Sequence, residues 1–341
     1  MSIRCTWYVA DLRVCGHIRA ELPARNINRR LDAGVSICVK SNQNVSDVYS
    51  SDIAVFQRSS TPDVLDRIKF AKSRGVRTAY DIDDDFFSMP DQFNNPFNHF
   101  ARPEILSCIR SCMEAVDVVF ASTQSMADAV VKNTSQRNVI VLPNFVDFDH
   151  WAMTIPPAPT STATVLGWMA SGCHVIDSPI IGPVVSSVLA RKPSVALKTI
   201  GHPTAQWFGG TDRSGQFSSL PWMDIDQLPA AMSGMDVGLC PLADHPYNRA
   251  KSSIKALQHW SLGQPVVVSD LDPYRGLVEH GVDGFVCRTH EEWVDAIERL
   301  VDNSSMRIEM GERGREKVAS GHNIAIKWPV WADAIKKAMG G

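Results

Sequence analysis

Four stretches of this chain carry side chains whose types and spacing could do chemistry. The first reads Asn248-Arg-Ala-Lys-Ser-Ser-Ile-Lys, with Lys251, Ser252 and Ser253 at the start of a helix expected over 251–262 and Lys255 one turn on. A helix N-terminus offers unpaired N–H groups and the positive end of its dipole, so a diphosphate suits it, with hydroxyl and ammonium groups as extra donors. A capped surface helix with solvated lysines has the same spacing. The second stretch, Tyr80-Asp-Ile-Asp-Asp-Asp-Phe-Phe, crowds carboxylates just past a strand, and alternation turns Asp81 and Asp83 to one side and Asp84 to the other. Three roles fit it, in this order: hydrogen bonding to hydroxyls, general-base help to a hydroxyl, and divalent metal binding. A solvated loop that caps a helix is the plain alternative. The third, Cys15-Gly-His-Ile-Arg, joins the first strand to its helix; Gly16 permits close backbone approach, and His17 or Arg19 could meet a phosphate or a sugar. The fourth, 167–177, offers Ser171, His174 and Asp177, although a lone histidine in a loop is more often structural than catalytic.

These stretches need elements to position them. A length of 341 residues asks for two domains of ordinary size. Short β-rich runs at 4–10, 35–39, 53–57, 77–81, 117–121 and 139–142 alternate with amphipathic runs at 17–32, 62–74, 103–115 and 124–132. That alternation predicts βαβ units and a parallel, doubly wound sheet. The pattern stops after Pro143-Asn144, and the Pro- and Thr-rich run at 155–164 marks a boundary. It restarts with strands at 165–168, 195–200, 236–240, 265–269 and 284–287 and helices at 178–190, 225–233, 251–262, 274–279, 291–302, 305–318 and 324–339. The insertion at 202–220, with Trp207, Phe208 and Gly209-Gly210, either folds over a ligand or is an ordinary loop. We therefore expect domains at 1–154 and 155–321, with 322–341, which carries Trp328 and Trp331, too apolar for a free tail and docked on the rest of the protein. Each of the first three chemical stretches then lies where a strand hands over to a helix, at the rim of a cleft between two sheets.

Composition narrows the classes. With 44% hydrophobic and 21% charged residues the chain is a globular protein rather than a disordered or collagen-like one. No window reaches the roughly 18 consecutive apolar residues of a spanning helix, and the first strand-like run lacks the features of a signal peptide. The eight cysteines are scattered without a Cys-x-x-Cys pair, so buried free thiols and a cytoplasmic location are expected, with no metal site. A net charge of −3 supplies no global attraction to nucleic acid, although Arg25, Arg29, Arg30, Arg67, Lys69, Lys72, Arg74 and Arg77 could build a local basic groove.

From Pro221 to Gly314 the order of motifs resembles the retaining GT-B glycosyltransferases of the family 4 type, also called glycosyl transferases group 1. The resemblance rests on Trp222-Met-Asp-Ile-Asp-Gln-Leu-Pro, Asp236-Val-Gly-Leu-Cys-Pro-Leu, Asn248-Arg-Ala-Lys-Ser-Ser-Ile-Lys, Gly263-Gln-Pro-Val-Val-Val-Ser-Asp and Gly281-Val-Asp-Gly-Phe. In the first half, Val119-Phe-Ala-Ser-Thr-Gln-Ser-Met and Val141-Leu-Pro-Asn-Phe-Val-Asp are similar to the segments that close the family's N-terminal domain. It implies an α/β GT-B fold: two Rossmann-like doubly wound domains facing a central cleft, with the terminal helix crossing back to the N-terminal domain. It also implies a nucleotide-sugar donor in the second domain, a UDP- or GDP-sugar as co-substrate with no tightly bound cofactor, and a metal-independent reaction.

On that resemblance Gly16, Arg19, Lys251, Ser252, Ser253 and Lys255 would hold the donor diphosphate. Tyr247, Asn248 and Gln258 would hold its ribose or sugar, His17, Asp83 and Asp84 would do the chemistry, and Ser171 and His174 would line the cleft. Two departures stand out. The family's pair of glutamates eight positions apart falls on Ala250 and Gln258, and the basic residue that often follows the second domain's first strand is missing from Gly167-Trp168-Met169-Ala170-Ser171. The expected acceptor is a glycan or a lipid-linked saccharide, placing the enzyme in the cytoplasm or at the inner membrane face. Alternatives are a phage-type enzyme acting on duplex DNA with 5-hydroxymethylated pyrimidines in a host cytoplasm, a nucleotide-sugar epimerase, and a non-catalytic nucleotide-sugar-binding protein.

Overall fold

The computed structural model describes residues 2–41, 48–90, 99–154, 163–201, 208 and 215–340. The first unit runs β1 (Ile3–Val9), α1 (Val14–Gly16), a π-helical turn (His17–Glu21), α2 (Leu22–Asn28), β2 (Val35–Ser41), β3 (Ile53–Gln57), α3 (Pro62–Ser73) and β4 (Arg77–Ile82). It continues with α4 (Pro103–Ala115), β5 (Val118–Ala121), α5 (Gln124–Asn133), β6 (Val139–Val141) and α6 (Phe148–Ala152). Helix starts are chemically marked: α3 and α4 open on proline, and Thr123 accepts the Met126 N–H to cap α5.

The six strands form one parallel sheet in the order β2-β1-β3-β4-β5-β6, so the winding direction reverses between β1 and β3. Strand β1 shows why both faces are covered. Trp7 and Val9 join one apolar layer with Phe120 and Trp331, while Tyr8 joins the other with Phe56 and Tyr80.

The second unit runs β7 (Thr164–Ala170), α7 (Ser178–Arg191), β8 (Val195–Gly201), β9 (Phe217–Leu220), α8 (Leu228–Met232), β10 (Val237–Cys240), α9 (Pro246–Arg249) and α10 (Ile254–Ser261). Then come β11 (Val266–Ser269), β12 (Gly284–Cys287), α11 (His290–Asp302), α12 (Ser304–Gly321) and α13 (Ile324–Gly340). Its sheet order is β12-β11-β10-β7-β8-β9, again parallel, with the reversal between β7 and β10. The expected fold class, two Rossmann-like units with a returning terminal helix, is what the chain adopts.

Helix α13 completes the first unit rather than the second. Trp331 lies 5.5 Å from Trp7 between ring centroids and donates to the Pro143 carbonyl at 3.2 Å, while Arg77 Nε donates to the Ala338 carbonyl at 2.8 Å.

Several expected elements shift. The helix placed at 251–262 begins only at Ile254, because Ala250 ends the separate short helix α9 and Ser253 is the residue that opens α10. The helix placed at 274–279 is a run of turns, interrupted by Gly276 at φ +74°, where a right-handed helix cannot continue. Strand β9 and helix α6 went unread because each is short and neither shows an extended apolar period. The boundary at 155–162 and most of the insertion, including Trp207, Gly209 and Gly210, lie outside the described residues. The segment Gly172–Arg191 has the length and mean hydropathy, 1.4, that a spanning helix can have, although polar residues interrupt its apolar run. Here it is α7 with its preceding turn, and Ile181, Val184, Val185 and Val188 are buried in the second core.

Candidate active site

In open parallel sheets ligands bind beyond the strands' carboxyl ends where the winding reverses. The loops after β1 and β3 and the loops after β7 and β10 are those ends, and they meet between the two units. Ala250, from the loop after β10, is buried in an apolar cluster of the first unit, and its carbonyl accepts from Thr123 Oγ1 at 2.8 Å. That packing explains the absent glutamate: a carboxylate there would be desolvated among apolar side chains.

The docked loop brings Lys251 to the centre. Its Nζ lies 3.6 Å from Cys173 Sγ, 3.8 Å from Asp84 Oδ1 of the opposite unit, and 4.4 Å from the centroid of the Tyr247 ring. Burial works against the charge, but Cys173, Asp84 and Asp177 outweigh it and hold the ammonium above its ordinary pKa. Ser252 Oγ accepts from Asn144 Nδ2 at 3.0 Å, again across the two units. Ser253 makes no capping bond through its side chain.

Lys255, the second residue of α10, donates to the Met169 carbonyl at 2.8 Å and to His174 Nε2 at 2.6 Å. An ammonium therefore stands at the end of β7, where the sequence lacks a basic residue, supplied from another element. His174 Nδ1 faces Asp177 Oδ2 at 2.6 Å, and Asp177 Oδ1 accepts from the Ala243 N–H at 2.7 Å and Asn248 Nδ2 at 2.8 Å. Since Lys255 can only donate, His174 Nε2 accepts and Nδ1 carries the proton. Burial, then Lys255 and Lys251, lower the His174 pKa well below its ordinary value, so the ring is neutral. Burial brings Lys255 down to about 8 and Asp177 up to about 6.

The acidic stretch divides. Asp81 is fully buried and meets Arg19 through two bonds, Nη2–Oδ1 at 2.5 Å and Nε–Oδ2 at 3.2 Å. Strand β4 ends at Ile82, so the expected alternation ends there too. Asp83 and Asp84 turn together toward Arg58, at 3.7 Å from Nε and 3.5 Å from Nη2. Burial raises the Asp83 pKa, opposed by Arg58.

Arg58 is the residue that sequence reasoning missed. Its backbone sits at φ +50°, sparsely populated for a side chain of this kind, and its guanidinium stacks 5.1 Å from Phe86 and 5.4 Å from Phe100. Its one sequence signal is position: it is the first residue past β3, at the winding reversal.

The structure gives Gly16 of the β1 loop a packing reason and corrects the assignment of Arg19. Gly16 is required because a Cβ there would lie 1.8 Å from the Asp11 carbonyl oxygen, so the close approach is to the chain itself. Arg19 is 0% exposed and cannot reach a ligand; besides Asp81 it bonds the Leu142 carbonyl at 2.5 Å and Asn144 Oδ1 at 2.9 Å. It thereby steadies the Asn144 that holds Ser252.

His17 and Gln258 come together elsewhere, on a small cavity of about 20 Å³ between the units that Asp226, His150 and Trp151 also line. His17 Nδ1 faces Glu21 at 3.2 Å, and burial lowers its pKa against the pull of Glu21. Gln258 Oε1 is buried with no hydrogen-bond partner among the described residues, as is Asn248 Oδ1. Tyr247 is fully buried, so it shapes the wall behind Lys251 rather than meeting solvent. Ser171 Oγ lies 3.0 Å from Cys173 Sγ.

Five of the eight basic residues considered for a groove already have partners within the chain. Arg25 faces Asp147 at 3.7 Å, Arg67 faces Asp63 at 2.9 Å, and Lys72 and Arg77 share Asp117 at 3.1 and 3.9 Å. Arg30 is turned onto α13, donating to the Ala325 carbonyl at 2.6 Å. Among the described residues no group of three or more His, Cys, Asp or Glu side chains is arranged to hold a metal ion.

Residues 181–303 match the family model Glycosyl transferases group 1. No curated protein matches the chain at the sequence level. Among solved structures, HepE of Anabaena in complex with UDP and glucose is similar over 98% of this chain and 100% of its own, at 14% identity and TM-score 0.69. Sucrose-phosphate synthase from Thermosynechococcus elongatus follows at 10% identity and TM-score 0.67, over 99% and 98% of the two chains. TarM is similar at 13% identity and TM-score 0.63 over 85% of this chain, which spans 55% of TarM's length. The segment match and the two-unit fold agree with the resemblance read from the motifs: residues 181–303 match the glycosyl transferases group 1 model, and the chain as a whole has the two-unit fold of these neighbours.

Proposed function

We propose that this protein is a glycosyltransferase that moves a sugar from a nucleoside diphosphate, UDP in the first instance, to a hydroxyl of a glycan or lipid-linked saccharide, with retention at the anomeric carbon and without a metal ion. The observation that carries the reading is the convergence of Lys251, Ser252 and Lys255 on the face of the cleft opposite Asp84 and Asn144. A UDP donor draws support from the HepE complexes with UDP and UDP-glucose, and a glycan acceptor from the Staphylococcus aureus TarM complex that holds fondaparinux, α-GlcNAc-glycerol and UDP. Retention follows from the resemblance over 221–314.

In this reading Lys251 and Lys255 hold the departing diphosphate, offsetting charge that grows as the bond to the anomeric carbon breaks. Their ammonium groups fill the role that a cation would otherwise take. The acceptor oxygen bonds to the same carbon, and Asp84 receives its proton. Gln258 Oε1, a buried acceptor lacking a donor, suits a ribose hydroxyl. His17 lines the same small cavity between the units. The cytoplasmic location rests on the free cysteines, five of the eight buried, and on the nucleotide-sugar donor.

The test is a thermal-shift panel of UDP, GDP, ADP, CDP and dTDP and their common sugars, followed by transfer assays with the sugar that binds. A shift for one base that disappears in Lys251→Ala is the expected result. A folded parent that responds to none of them would overturn the reading, and conversion of the donor without any acceptor would identify an epimerase instead.

A further inference from the structure

The loop after β7 contains a buried polar chain whose purpose the diphosphate reading leaves open. Asp177 is 0% and His174 4% exposed, yet the two side chains are spent on one another and on Lys255. Asp177 receives three hydrogen bonds: from His174, from the Ala243 N–H and from Asn248 Nδ2. A carboxylate with that many donors is fixed in place and ionised, and it orients the imidazole with the proton on Nδ1. His174 Nε2 is then an acceptor aimed at Lys255.

A lysine ammonium has three protons and no acceptor. The Met169 carbonyl and His174 Nε2 take two of those of Lys255, from directions fixed by β7 and by Asp177. Tetrahedral geometry leaves one N–H with a single direction. An exposed lysine has a flexible stem and three equivalent donors, whereas this one is preset.

Resting on the diphosphate reading above, we propose that Asp177 and His174 are positioning residues that act through Lys255, aiming its remaining N–H at the donor's diphosphate and keeping the ammonium charged. Neither touches the nucleotide. The arrangement is an Asp–His–Lys line in which a neutral histidine transmits the orientation of a buried carboxylate to a cation.

The electrostatic surroundings agree with this. Burial and Lys251 disfavour the Lys255 charge, while Asp177 and Cys173 from the turn after β7 and Cys240 from β10 favour it, leaving a pKa of about 8. His259 lies on the same helix with its own pKa lowered to about 4, chiefly by burial, and is neutral at working pH. Removing the Asp177 charge therefore takes away the nearest assignable carboxylate support.

Two measurements on the full chain test the proposal. Competitive acetylation with peptide mass analysis reads the titration midpoint of Lys255 in the absence of nucleotide. It should lie near 8 in the parent and fall in Asp177→Asn, an almost isosteric change; an unmoved midpoint would overturn the proposal. Titration with UDP then reads a double-mutant cycle of His174→Gln and Lys255→Ala. His174→Gln should weaken UDP roughly tenfold in the parent background and have no further effect when Lys255 is already alanine. Additive losses would show that His174 acts on the fold generally and not through Lys255. If Asp177→Asn moves the Lys255 midpoint while Lys255→Ala leaves UDP affinity intact, the ammonium is positioned for another ligand. That outcome overturns both the aim assigned to it and the diphosphate role. An unmoved midpoint with weakened UDP in Lys255→Ala removes the positioning proposal alone.

Discussion

Lys251 and Lys255 divide the task of holding negative charge, and their surroundings make them respond differently to pH. Because Lys255 titrates near 8, UDP affinity should be full below that pH and fall as its proton is lost above it, while Lys251, held above its ordinary value, keeps its charge through the same range. Calorimetric titration of UDP between pH 6.5 and 9.5 checks this, and Lys255→Ala should flatten the profile. Lys251→Ala should cost about 10- to 100-fold in UDP affinity, the size of one charge-assisted bond of roughly 1.5–3 kcal/mol. Arg58 has a structural weight that spacing could not reveal. Replacing it with alanine leaves Asp83 without its cation and Asp84 with Lys251 alone, in a site where the Arg58, Asp83 and Asp84 side chains are 6%, 11% and 16% exposed. Arg58→Ala should therefore lower the unfolding free energy by about 3 kcal/mol, and Arg58→Lys by clearly less, as read by urea denaturation.

At the scale of elements, α10 is the part on which the site depends, and it is held by its buried face. His259 packs on Gly238 and its Nδ1 donates to Gln264 Oε1 at 2.7 Å, while burial keeps the ring neutral. Its folded pKa, about 4, lies below the value of roughly 6.5 for an exposed histidine, so the unfolded chain takes up a proton first as the pH falls. The stability this group contributes is whole above pH 6.5 and is lost as the pH falls toward 4. Between pH 6.5 and 5 that loss amounts to roughly 2 kcal/mol. Urea titrations at those two pH values should show it, and His259→Gln should reduce the slope by that amount, leaving the part due to His174 and His17. This helix starts three residues later than its sequence suggests, because Lys-Ser-Ser is compatible with a first turn. What decides otherwise is the docking of Ala250 on the first unit, a tertiary contact.

At the scale of the whole molecule, the two units are joined by their loops and by α13. Trp331 is fully buried against Trp7, and the Arg19 guanidinium lies 4.8 Å above its ring. Trp331→Ala should then cost about 3–5 kcal/mol, the range for emptying a buried aromatic site, measured as a drop in the urea midpoint. The same contact ties the terminal helix to the site, since Arg19 holds Asn144 and Asn144 holds Ser252. The aromatic-rich tail was legible as a docking element from composition alone. Its partner was not, because Trp7 and Pro143 stand more than 180 residues away in sequence.

What the chain determines by itself is the alternation of strands and helices, hence two parallel sheets, and the places where strands hand over to helices, hence the loops that hold the site. Those are short-range properties, set by side-chain period, caps and breakers. Tertiary structure decided which polar groups face one another. It buried Arg19 on Asp81, turned Asp83 and Asp84 onto Arg58, and carried the Lys255 ammonium to the end of β7. Charges buried far apart in sequence must find each other or be neutralised, and only the folded arrangement specifies which partner each one meets.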